Sequence, residues 1–174
     1  MRVLLVGGGF LGGQLIRLAA SDERLDLVAC LVGSAESAAS IVSGGFPGFA
    51  CDIAQASELG RVAARLESAP ELIVQCVSSH RGSGADGYRA VYLAGARNLR
   101  SVFPRARLLF VSSTSVYGQT DGGWVDETSA TSPPRETGAI LVAAERAALA
   151  GGGSVARLAG LYGPGRSVLL DKFL

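Results

Sequence analysis

The chain has 174 residues, enough for one domain with a substantial buried core and too few for two. Apolar residues make up 48% and charged residues 18%, a globular balance that excludes a disordered chain. Its 16 basic and 15 acidic residues are interspersed, so no basic stripe exists to neutralise a phosphate backbone, and nucleic acid is not an expected partner.

Residues 2–6 are a β-branched and leucine run that stops at glycine, the pattern of a buried strand. Residues 12–20 follow helical spacing, with Leu15, Ile16 and Leu18 on one side and Gln14 and Arg17 on the other. A second apolar run spans 25–32 and a short third one 48–53; a helix rich in alanine and charge is expected over 57–66. The fourth strand is placed at 72–77, a helix at 88–102, the fifth strand at 107–111, a helix at 137–150 and the sixth strand at 154–158. Strands alternating with helices imply right-handed crossovers and a parallel, doubly wound α/β sheet covered on both faces, a Rossmann fold in three layers. The amphipathic stretch 170–174, just after Gly163-Pro164-Gly165, reads as the start of a further element. The expected division is therefore a nucleotide-binding domain over 1–165 and the beginning of a truncated substrate-binding region over 166–174.

Cys30, Cys51 and Cys76 lie in three different apolar runs, no CxxC pair is present, and the single His80 completes no metal cluster with them. They read as small apolar core residues of a reducing compartment, so the expected location is cytoplasmic. Residues 1–20 loosely mimic a secretory signal, but Gly7, Gly8, Gly9, Gly12 and Gly13 interrupt any helical signal core. No uncharged apolar run approaches the roughly 20 residues of a membrane span, and a soluble protein is expected.

Gly7-Gly8-Gly9-Phe10-Leu11-Gly12 fits G-x-G-x-x-G, follows a predicted strand and opens a predicted helix. In that context Gly7 permits the tight turn, Gly9 lets backbone approach a pyrophosphate, and Gly12 allows close packing of helix on strand. The phosphates of NAD or NADP would rest on the N–H groups of Phe10 and Leu11, where the helix dipole also favours negative charge. About 20 residues on, an acid commonly receives the ribose 2′-hydroxyl, but Leu31-Val32-Gly33-Ser34 carries none. No arginine stands there to attract a 2′-phosphate either, and Ser34 can bond either group, so NAD and NADP stay open. Asp52 and Ile53, closing the third run, are candidates for the adenine edge, with an ordinary polar strand end as the alternative. Cys76, Val77 and Ser78, at the end of the fourth strand, complete the cofactor-facing candidates.

A second constellation, Ser112-Ser113-Thr114-Ser115-Val116-Tyr117-Gly118, puts hydroxyls at the carboxyl end of the fifth strand, the edge where open α/β sheets bind ligands; helix capping is the alternative role for them. With the glycine loop, Trp124-Val125-Asp126-Glu127, Pro133 and Ala156-Arg157-Leu158-Ala159-Gly160-Leu161-Tyr162-Gly163-Pro164-Gly165, the chain resembles the extended and atypical short-chain dehydrogenase/reductases, the NAD-dependent epimerases and dehydratases. The resemblance implies NAD(P), a small-molecule substrate oxidised or reduced at a hydroxyl or carbonyl carbon, and Ser113 as the residue that orients that oxygen. It also implies a homodimer joined through 88–102 and 137–150.

The same resemblance implies a Tyr-x-x-x-Lys pair, which here becomes Thr137 and Leu141, counted from Glu145 as the family's helix glutamate. A phenol with pKa about 10 needs a nearby cation to act as a general base near neutrality, and neither replacement supplies one. Tyr88, Tyr92, Tyr117 and Tyr162 are substitutes with packing roles as the alternative; Arg135, Glu136, and His80 with Arg81 share the binding edge. An enzyme of the atypical branch and a non-catalytic NAD(P)-binding sensor or partner are both compatible with these residues, as is a fragment lacking its substrate domain.

Overall fold

The computed structural model describes residues 1–79 and 82–166. His80, Arg81 and the stretch 170–174 considered above lie outside the described residues. The chain runs β1 (Arg2–Val6), α1 (Phe10–Ser21), β2 (Asp26–Val32), α2 (Ala35–Ser43), β3 (Gly48–Ala50), α3 (Ala56–Ala63) and β4 (Leu72–Gln75). It continues through α4 (Gly84–Tyr88), a π-helical segment (Arg89–Ala94), α5 (Gly95–Val102), β5 (Arg107–Ser113), a 3-10 turn (Thr114–Val116), α6 (Glu136–Leu149) and β6 (Ser154–Leu158).

The six strands form one parallel sheet in the order β3-β2-β1-β4-β5-β6. This is the doubly wound Rossmann order, which reverses between β1 and β4. Alternate side chains of β1 feed two cores. Leu4 and Val6 pack with Leu31, Ile73, Phe110 and residues of α3, α5 and α6, while Val3 and Leu5 pack with Cys30, Val74, Ile16 of α1 and Ala38 of α2. Burial on both faces explains why these strands read as continuous apolar runs without a polar side. No helix among the described residues is long and apolar enough to cross a membrane.

Several boundaries move, each for a local reason. The third run stops as a strand at Ala50, because Asp52 turns the chain by accepting the Ala54 N–H on Oδ1 at 2.9 Å. Between β2 and β3 the sequence pattern suggested no element, yet α2 forms there. Its N-cap Ser34 accepts the Ser37 N–H, while serines and β-branched residues blur its periodicity. The helix expected over 88–102 begins earlier, with α4, and is widened by the π-helical segment. Gln75, buried at the end of β4, donates Nε2–H to the carbonyls of Val91 at 3.0 Å and Tyr92 at 3.4 Å, supporting that irregular turn.

Candidate functional site

The glycine loop joins β1 to α1 at the carboxyl edge, beside the point where strand order reverses. Gly7 adopts φ +114°, a conformation that only glycine takes without strain. A Cβ there would also lie 2.9 Å from the Cys76 carbonyl and the Val77 nitrogen, so the loop presses on the end of β4. On its other side, a Cβ on Gly8 would lie 2.9 Å from Val32 of β2. The fold thereby brings the loop together with Val32-Gly33-Ser34 and with Cys76-Val77. A Cβ on Gly12 would stand 1.9 Å from the Gly7 carbonyl oxygen, so helix and turn are in backbone contact. Gly9 is different: a Cβ there would meet nothing within 4 Å, leaving its face open.

The beginning of α1 has the properties of an anion seat. Its N-cap is Gly9, with no side-chain capping bond and no acidic residue in the first turn. The first helical bond runs from the Gly13 N–H to the Gly9 carbonyl at 2.8 Å, so the Phe10, Leu11 and Gly12 N–H groups precede the intrahelical ladder. These features fit a dinucleotide pyrophosphate, which would supply the acceptors and the negative charge that the sequence leaves out.

The remaining nucleotide-facing candidates are spread along the same edge. Ser34 caps α2, accepting the Ser37 N–H at 3.1 Å and bonding the Ser37 hydroxyl at 2.9 Å. Asp52 lies past the end of β3, exposed, with one carboxylate oxygen held by its own turn. Ile53 is buried in the core, and Asn98 of α5 donates to its carbonyl at 3.0 Å. Cys76 and Val77 are partly buried behind the loop, and Ser78 is exposed.

Burial pushes all three thiols upward from an ordinary value of 9.0: Cys30 and Cys51 to about 11, and Cys76 to about 12. Neutral thiols are poor nucleophiles. We expect native protein at pH 8 to resist iodoacetamide and denatured protein to react at all three cysteines, as counted by mass spectrometry. Because the folded values lie above the unfolded ones, the thiols favour the fold below pH 9, and this contribution is lost as pH rises toward 12.

At the end of β5, Ser113 accepts the Ser115 N–H on Oγ at 3.1 Å, which leaves its own hydroxyl proton free to be donated. Its neighbour Ser112 points the other way, donating to Glu145 Oε1 at 2.6 Å in the interior. Glu145 on α6 is gripped by Arg157 of β6, Nη2 to Oε2 at 2.8 Å and Nε at 3.1 Å from Oε1. Arg157 Nη1 then donates to the Tyr117 hydroxyl at 3.0 Å, and that hydroxyl donates to the Asp126 carbonyl at 2.7 Å. The carboxylate raises the already high pKa of Arg157, whose charge is permanent. This web ties β5, α6, β6 and the loop before α6 into one unit under the site. In the sequence Glu145 and Arg157 stand only as parts of motifs, because nothing in their spacing announces that they meet.

The four tyrosines differ in their surroundings. Tyr117 spends its proton on Asp126, Tyr162 is 78% exposed, and the Tyr92 hydroxyl oxygen accepts the Ser79 N–H at 3.4 Å with its ring edge-on to Phe110. Tyr88 packs against Tyr92, ring centroids 4.9 Å apart, and burial pushes the Tyr92 phenol up, away from base function. Thr137 is partly buried, and Leu141, 3% exposed, belongs to the core. Glu136 pairs with Arg89, which also holds Asp86 at 3.0 Å; Arg135 is the exposed N-cap of α6.

Comparison with known proteins bears on the same regions. A Methylobacillus flagellatus protein assigned as an NAD-dependent epimerase/dehydratase superposes with TM-score 0.73 at 28% identity, over 98% of this chain and 58% of its own. A dTDP-glucose 4,6-dehydratase double mutant from Streptomyces venezuelae, solved with NAD, gives 0.74 at 24% identity, over 99% of this chain and 63% of that one. UDP-glucuronic acid 4-epimerase from Bacillus cereus, in complex with NAD, gives 0.75 at 17% identity, over 97% and 60% respectively. The chain thus spans less than two thirds of the length of each of these structures. No curated protein matches it. The model of the NAD-dependent epimerase/dehydratase family matches residues 3–167, almost the whole sequence, and the chain belongs to that family.

Proposed function

We propose that the chain binds NAD or NADP through Gly7, Gly9, Phe10, Leu11 and Gly12, and that it serves an epimerase, dehydratase or reductase acting on a hydroxyl or carbonyl carbon of a small molecule. The observation that carries this reading is the start of α1, uncapped and without acid, beside the open face of Gly9. Ser34, Asp52 and Ile53 would flank the adenosine half, and Cys76, Val77 and Ser78 the other side of the loop. When bound, the nicotinamide supplies a hydride donor or acceptor. The protein supplies orientation: the Ser113 hydroxyl, its oxygen already held by the Ser115 N–H, donates to the substrate oxygen.

A second reading, a nucleotide-binding sensor or partner without turnover, draws support from Leu141. Where the family resemblance calls for a lysine that lowers a tyrosine's pKa, this chain has a core leucine, and Thr137 has no usable acidity.

Calorimetric titration with NAD, NADH, NADP and NADPH tests the binding claim, with Gly9→Val as its control. Because a Cβ at Gly9 meets nothing, the variant should stay folded, with its melting temperature lowered only by the weaker N-cap, while losing saturable binding. A valine variant that binds like wild type would remove the loop from the site. The 2′-position preference is read directly from the four wild-type affinities.

A further inference from the structure

The segment after β6 does not lead away from the glycine loop; it returns to it. Gly163, Pro164, Gly165 and Arg166 form a tight turn closed by reciprocal bonds, Gly163 N–H to Arg166 carbonyl at 3.1 Å and Arg166 N–H to Gly163 carbonyl at 2.9 Å. Proline at its second position and Gly165 at φ +77° in its third are the residues such a turn demands. The turn lies against Phe10, the residue that opens α1: a Cβ on Gly163 would sit 3.5 Å from Phe10 Cζ. The Arg166 guanidinium stands over the Phe10 ring, 5.4 Å from its centroid. Among the described residues that side chain makes one hydrogen bond, Nε–H to the Leu161 carbonyl at 3.0 Å, and no ion pair. The bond and the ring together hold the guanidinium beside Phe10, and no described residue is recorded as a partner of its terminal N–H groups.

That placement completes a charge balance. A pyrophosphate carries full negative charges, whereas the helix start offers partial ones and residues 7–12 include no cation. Among the described residues, Arg166 is the cation recorded against this loop, over the Phe10 ring. Its planar fork is the side chain best shaped for phosphate oxygens.

We propose that Arg166 is a phosphate-binding residue of the dinucleotide site, folding over the glycine loop to clamp the pyrophosphate from the side opposite the α1 N–H groups. The proposal rests on the nucleotide-binding reading above. It assigns to the nucleotide a residue whose position in the sequence suggested the substrate region.

The test compares wild type, Arg166→Gln and Arg166→Lys by calorimetry with NAD, ADP-ribose and AMP. Arg166→Gln should weaken NAD and ADP-ribose alike, by about 10- to 100-fold, and AMP by far less, since AMP lacks the pyrophosphate. Arg166→Lys should recover part of the loss, and added salt should weaken wild type more steeply than the glutamine variant. Arg166 is exposed, so all three proteins should melt together. Wild-type affinity in Arg166→Gln, an equal loss for AMP, or a lowered melting temperature would each overturn the clamp and leave the nucleotide reading standing. Failure of wild type to bind any of the three ligands would instead overturn the nucleotide reading, and the clamp with it.

Discussion

Glu145→Ala should cost about 3–5 kcal/mol of stability, because it strips the partner from a guanidinium that cannot lose its charge. The carboxylate is 3% exposed and Arg157 only 19%, so water reaches neither fully. Ser112 and Arg157 would both be left facing an apolar gap, and the links through Tyr117 to the loop before α6 would loosen. Folded domains are stable by roughly 5–15 kcal/mol, so the variant should unfold at a much lower urea concentration. The double variant Glu145→Leu with Arg157→Met should regain most of the loss, since apolar replacement of a buried pair is often neutral or better. A single variant within about 1 kcal/mol of wild type would show that the pair is solvated in solution.

Gly12→Ala should damage the fold by about 3 kcal/mol or more, through added bulk alone. The new methyl would stand 1.9 Å from the Gly7 carbonyl oxygen and 2.9 Å from its carbon, both backbone atoms that cannot rotate away. To relieve the clash, α1 must lift from β1 and expose Ile16 and the face formed by Val3 and Leu5. A thermal melt and the yield of soluble protein measure this. Gly9→Val, three residues earlier, separates the two roles of the loop. It adds more bulk in open space and should lower the melting temperature far less than Gly12→Ala, while nucleotide affinity falls. Equal melting of Gly12→Ala and wild type would mean that helix and turn are not in backbone contact in solution.

The inner strands β1, β2 and β4 were legible as apolar runs because both faces of the sheet are covered there, and the glycine loop was legible because a strand precedes it and a helix follows. What escaped were features that spacing does not encode. In α2, with Ser37, Ser40 and Ser43 among nine residues, no clear stripe marks the helix. In the π-helical segment, the Val91 and Tyr92 carbonyls accept from Gln75, which lies on another element. The Arg157 web joins residues 12 and 40 positions apart, and each of them has an unremarkable role when read alone. Likewise Arg166 acquires a meaning only once the turn carries it back to Phe10. The candidates for nucleotide contact were legible from local pattern; the partners that fix or extend them come from distant segments.

The strand order also governs how this chain acquires its structure in time. β1 is flanked by β2 and β4, so Val3 faces Leu27 on one side and Leu72 on the other. During synthesis from the N-terminus, the first three strands emerge with one flank of β1 unsatisfied, and its Leu4 and Val6 still await Ile73 and Phe110. Closing that flank brings β4 back past β2 and β3 to β1, a non-local pairing that slows folding relative to locally connected folds. A nascent chain that stalls between β3 and β4 therefore presents an open, apolar sheet edge, the form most prone to pair with another chain.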